Sequence, residues 1–150
     1  MKRFVWRLQR VLDVKAKEEQ IKRTELFRLT ERLTVKRGEL LMRQRVLQDL
    51  LAEIRQDTSA ERWSSQEFLL RRAAVDDEQI RNLHEEIATL TTRHKEKTAE
   101  VLAARRFKEG LEKLREQAKQ EYVQEQERLE QNELDESTTM AFARNEERYT

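Results

Sequence analysis

The sequence predicts an all-α fold in which two long helices pack against each other as an antiparallel coiled-coil hairpin. Three observations carry this. The 150 residues contain no proline, the residue that breaks helix interiors. Charged residues make up 41% of the chain, and the abundant types (Glu, Arg, Leu, Gln, Lys, Ala) are strong helix formers. Apolar residues recur every seven positions, the period that keeps one stripe of an underwound helix facing a partner.

The first helix is expected over about residues 2–57. Its defining column is Val5, Leu12, Glu19, Leu26, Leu33, Leu40, Leu47 and Ile54, apolar at every position except Glu19. The companion column is mixed: Leu8, Lys15, Lys22, Leu29, Lys36, Arg43 and Leu50. The seam is therefore narrow, and its basic members are expected to lay their aliphatic stems along the edge.

A turn is expected over about residues 58–64. Two overlapping capping boxes, Thr58 to Glu61 and Ser64 to Glu67, would each start a new helix here. A single continuous helix would instead give a rod about 200 Å long. The break in apolar phase favours the hairpin. Trp63 falls at the expected tip, either plugging the turn or exposed as an anchor for another protein.

The second helix is expected over about residues 65–140, with a fraying tail to residue 150. Leu69, Ala73, Ile80, Leu83, Ile87 and Leu90 follow a three-and-four spacing, with Asp76 as the exception. The pattern weakens at His94 and Lys97 and resumes at Val101 and Ala104. It then reads as a shifted phase through Phe107, Leu111, Leu114 and Ala118, with Gly110 inside the discontinuity. A turn centred near residue 60 makes facing residues add to about 120, so Leu40 is expected opposite Ile80 and Leu83, and Leu33 opposite Ile87 and Leu90. Residues beyond about 120 would then lack a partner segment.

Net charge is only +1, but it is unevenly placed. Residues 1–37 carry 12 Lys or Arg against 5 Asp or Glu, whereas residues 112–150 carry 6 against 11. Residues 84–120, expected to face the first helix, hold 9 basic and 7 acidic side chains, so the basic start is not neutralised inside the hairpin. It is left for an acidic partner.

The residue types needed for catalysis do not converge. There is no cysteine, which excludes disulfides and thiolate chemistry and fits a reducing compartment. His84 and His94 stand ten residues apart without a metal-ligand pattern. His84 is expected in solvent, and His94 in the seam, where a polar residue tunes register. Adjacent carboxylates such as Glu85 and Glu86 do not face each other on a helix. No phosphate loop or nucleophile motif occurs. A non-enzymatic chain with no metal, no cofactor and no small-molecule substrate is expected. No apolar run approaches the roughly 20 residues that span a bilayer, and the start lacks the apolar stretch of a secretory signal, so a cytoplasmic location is expected.

Two lesser readings use the basic start. Lys2, Arg3, Arg7, Arg10, Lys15, Lys17, Lys22 and Arg23 offer phosphate contacts, with Phe4 and Trp6 for base stacking. The same segment also has the character of a basic amphipathic helix for a membrane surface. The near-zero net charge and the overlap with the heptads disfavour nucleic acid against packing on a partner helix.

Three segments together resemble the flagellar FliJ family. They are the opening Phe4-Val5-Trp6-Arg7-Leu8-Gln9-Arg10-Val11-Leu12, the stretch Arg62-Trp63-Ser64-Ser65-Gln66-Glu67-Phe68, and the tail Glu133-Leu134-Asp135-Glu136 followed by Phe142-Ala143-Arg144. The resemblance implies a cytoplasmic component of flagellar type III export, peripheral to the cell membrane. It implies a stalk or chaperone whose coiled-coil ends sit in the hexameric export ATPase and whose middle binds the cytoplasmic linker of the membrane export gate, with export chaperones as further partners. Carried onto this chain, gate binding falls on Met42, Val46 and Phe68. ATPase-ring binding is expected at the uncompensated basic residues Arg7, Arg10 and Lys17. A coiled-coil adaptor or secretion chaperone outside the flagellum is the alternative.

Overall fold

The computed structural model describes residues 2–56 and 62–149, with side chains from residue 66 onward in the second stretch. It contains two helices, α1 (Gln9–Gln56) and α2 (Arg62–Tyr149). The fold class is the expected one: two long helices in an antiparallel hairpin. Residues 58–61 of the expected turn, with the first capping box, and the side chains of Trp63 and Ser64 lie outside the described residues; α2 begins at Arg62, so residues 62–64, expected in the turn, are helical. The chain divides into two compact units, one of residues 19–103 and one of residues 2–18 with 104–149.

In the unit of residues 19–103, the heptad columns face inward as the sequence requires. Leu33 and Leu50 on α1 and Ala73, Ile80, Leu83 and Leu90 on α2 are buried, with Leu26, Leu29, Leu40, Leu47, Ile54, Leu69 and Ile87 half-buried around them. Glu19, the one charged member of its column, is buried and ion-paired to Arg23 one turn along. Cross-helix polar pairs fix the register. Lys36 meets Glu86 at 3.1 Å, Arg43 donates to Gln79, and Lys97 meets Glu25 at 2.8 Å. Facing residues thus add to about 122, two more than the sequence centre predicted.

His94 does occupy the seam, and its role follows from counting hydrogens. Thr30 Oγ1 donates its only hydrogen to the Leu26 carbonyl at 2.9 Å. The 3.0 Å contact between Thr30 Oγ1 and His94 Nε2 must then be donated by the imidazole. This sets the proton on Nε2 and ties one layer of α1 to its partner in α2.

The Lys97–Glu25 pair gives the unit a defined pH response. The hydrogen bond from Lys97, then its charge, lowers the Glu25 pKa from the ordinary 4.5. The hydrogen bonds to Glu25 and Glu100 raise the Lys97 pKa from the ordinary 10.5. The acid contributes stability that is complete above its unfolded value and is lost as pH falls through its lowered folded value. The lysine contributes stability that is complete below its unfolded value and is lost as pH rises through its raised folded value. Melting temperature is therefore expected to be level between those limits and to fall outside them. In Lys97→Met the decline at both extremes should be shallower than in the parent; superimposable pH profiles would contradict this assignment.

The unit of residues 2–18 and 104–149 departs from expectation in two places. First, α1 begins at Gln9, so Val5, predicted as the first seam residue, is non-helical and 82% exposed. The segment is held by other means. Phe4 packs at a tilt on Tyr122 with ring centroids 5.4 Å apart, and the Tyr122 hydroxyl donates to the Lys2 carbonyl.

Second, the shifted phase around Gly110 does not occur. Ala104, Lys108, Leu111, Ala118 and Tyr122 are the inward-facing residues, and they keep the three-and-four phase, the position between Leu111 and Ala118 falling on the exposed Arg115. Phe107 and Leu114 face solvent. Lys108 takes the position assigned to Phe107 because its stem can lie in the seam while its ammonium reaches Glu112 at 4.0 Å. Phe107 is covered instead by Lys15, whose Nζ lies 5.2 Å from the ring centroid. Leu12 and Leu111 form the buried centre of this unit. From residue 127 to Tyr149 every side chain on α2 is exposed, as expected of an overhang, and the helix continues through the stretch where fraying was predicted.

Candidate partner-binding surfaces

The unit of residues 19–103 brings the three residues expected at the export gate onto one side. Phe68 and Val75, seven residues apart, share a column of α2 and line a shallow groove with Arg71, Arg72, Asp76 and Gln79. Arg43 of α1 closes it, donating to Gln79 and lying 3.6 Å from Glu39. Val46 stands one heptad beyond Glu39, and Met42 is one turn before Val46, so both belong to the same rim of α1 as Arg43's ion pair. Met42, Val46 and Phe68 are each more than half exposed, at 72%, 54% and 64%. Phe68 and Val75 line the groove itself, whereas Met42 and Val46 lie outside its lining.

Sequence reasoning missed most of this groove. Val75 had a signal, its position seven residues after Phe68. Asp76, read only as a defect in the seam, presents a buried carboxylate oxygen without a hydrogen-bond partner at the groove wall. Arg71 is held by Glu67 at 2.7 Å, while Arg72 has no ion pair among the described residues. The surface therefore combines apolar contact area with cationic edges, the composition favoured in protein interfaces.

The other unit places Arg7, Arg10 and Lys17 in solvent, with no ion pair to the described residues. Arg10 and Lys17 lie one heptad apart on the outward face of α1, and Arg7 sits in the turn that leads into it. Lys15, by contrast, is engaged with Glu18 at 3.1 Å and with Phe107. The Phe4 ring is committed to Tyr122, which removes one of the two aromatics that base stacking would need.

The described residues contain no cluster of three or more His, Asp or Glu able to hold a metal ion. No helix among them is long and apolar enough to cross a membrane. A sequence model of one family, described as Flagellar FliJ protein, matches residues 3–147. The chain belongs to the FliJ family. No curated protein and no solved structure gives a significant match. Membership in the FliJ family assigns the chain an export-related role in the flagellum.

Proposed function

We propose that this FliJ-family chain is a coupling component of flagellar export. Its basic end engages the hexameric export ATPase, and its middle engages the cytoplasmic linker of the membrane export gate, at the cytoplasmic face of the membrane. The observation that carries the reading is the exposure of Met42, Val46 and Phe68, apolar yet each more than half in solvent, with Phe68 lining a groove, in a chain matched to the family over residues 3–147. The groove offers Phe68 and Val75 as a floor and arginines at its edge, so a linker segment with apolar anchors and carboxylates is the complementary ligand. The uncompensated charge of Arg7, Arg10 and Lys17 suits an acidic lumen, where long-range attraction speeds docking and sets orientation.

The test is calorimetric titration of the chain with the gate's cytoplasmic linker. Phe68→Ala is expected to weaken binding by about tenfold or more, since truncating an aromatic anchor costs about 1–2 kcal/mol and each 1.4 kcal/mol is a factor of ten. Met42→Ala with Val46→Ala should show a similar loss, while Phe107→Ala, in the other unit, should show none. Undiminished affinity in the first two variants would remove the groove from the reading.

A further inference from the structure

The back of α1 in the unit of residues 19–103 carries a second pattern, unused by the hairpin. Assign seam residues Leu26, Leu33, Leu40 and Leu47 to heptad position a. The three outward columns are then b (Phe27, Thr34, Leu41, Gln48), f (Glu31, Gly38, Arg45) and c (Arg28, Val35, Met42, Asp49). Every one of these residues is exposed, and Phe27, Val35, Leu41 and Met42 are 62–72% exposed. The Thr34 hydroxyl is satisfied by the Thr30 carbonyl at 2.9 Å, so this residue presents its methyl group outward. Gly38 has open space where a Cβ would stand. The result is an apolar stripe with a gap at its midpoint, the feature that permits two helix backbones to approach closely.

The charges on this stripe are arranged as a palindrome about Gly38. Glu31 precedes it by seven residues and Arg45 follows it by seven. In column c the order is Arg28, Val35, Met42, Asp49: basic, apolar, apolar, acidic. Reversed in direction and laid against itself, the stripe sets Glu31 against Arg45, Arg28 against Asp49 and Val35 against Met42, each twice, with Gly38 against Gly38. A parallel, in-register pairing would instead set Glu31 against Glu31 and Arg45 against Arg45 in the central column. None of Arg28, Glu31, Arg45 and Asp49 has an ion pair among the described residues, so all four are available.

We infer that a second copy of this chain occupies the stripe, forming an antiparallel, two-fold symmetric dimer through the back of α1 centred on Gly38. Such an isologous contact is self-limiting, because each copy uses the same patch. The inference rests on the charge pattern of α1 and not on the proposed gate contact. The two share Met42, so a dimer and a gate-bound chain exclude each other at that residue.

Sedimentation equilibrium of the full chain tests this. Concentration-dependent dimerisation is expected. Glu31→Arg and Arg45→Glu should each weaken it by about tenfold, because two pairs per dimer turn from attractive to repulsive. The double variant Glu31→Arg with Arg45→Glu should restore parental affinity. Circular dichroism of each variant should show parental helicity. Since the chain has no cysteine, Gly38→Cys provides an independent reading: it should oxidise to a covalent dimer far more readily than Ala52→Cys. A chain monomeric at all concentrations, single reversals without effect, a double variant that fails to rescue, or equal cross-linking of the two cysteine variants would each overturn the dimer. Loss of gate binding in Phe68→Ala with dimerisation intact would leave it standing.

Discussion

Truncation of Leu90 to alanine should lower stability by about 3 kcal/mol and the melting temperature by about 10 °C or more. Leu90 is 5% exposed and sits at the buried centre of the seam in the unit of residues 19–103, where no larger core surrounds it to collapse into the cavity. Leu33, also 5% exposed, lies opposite in the observed register and should behave alike. Because the two face one another, their losses should not add. A double-mutant cycle is expected to give a coupling of about 0.5–2 kcal/mol. Leu41→Ala on the back of the same helix serves as the contrast, with a change within about 0.5 kcal/mol, since its side chain is 67% exposed. Chemical denaturation monitored by helicity decides the matter. Equal losses for Leu41→Ala and Leu90→Ala would mean that the seam is not where the stability of this unit resides.

Reversal of Arg7, Arg10 and Lys17 to glutamate should weaken binding to the export ATPase by about a hundredfold or more. Residues 2–18 carry six basic and two acidic side chains, and the triple change inverts that balance. Reversing each exposed charge at an interface turns a modest attraction into a modest repulsion, and three such changes together give about 3 kcal/mol. The fold should be untouched, because none of the three side chains is buried or ion-paired to a described residue. The parental interaction should also weaken steeply with added salt, as exposed charges are screened within about 10 Å at 0.1 M. Co-purification of the triple variant at parental yield would remove the basic end from the ATPase contact. The Lys97→Met pH profile, by contrast, reads the hairpin and leaves this contact alone.

Much of the inward face was legible because helical periodicity is a local property. The column through Leu12, Leu26, Leu33, Leu40 and Leu47, and its partner through Ile80, Leu83, Ile87 and Leu90, needed only the spacing of leucines. The partner surfaces were less legible. Met42, Val46 and Phe68 were placed by family resemblance, and the groove beside them draws on residues from both helices. Arg43, Asp76 and Gln79 become neighbours only when the register is fixed, and that register differs from the sequence estimate by two residues.

The sequence by itself determined the class of fold, the burial of the leucine columns and the excess positive charge at the start of the chain. These follow from the heptad period, the absence of proline and the count of charged side chains, all of which are independent of any distant contact. Only tertiary structure decided which of two neighbouring residues turned inward at Phe107 and Lys108. A lysine with a long stem can fill a seam position when an acidic neighbour receives its charge, and the vacated aromatic then finds its cover on the opposite segment in Lys15. Tertiary structure likewise decided where α1 begins, because the contact that holds residues 2–6 is with Tyr122, more than a hundred residues away. In both cases a side chain from the opposite segment, Lys15 on Phe107 and Tyr122 on Phe4, makes a contact that local spacing could not specify.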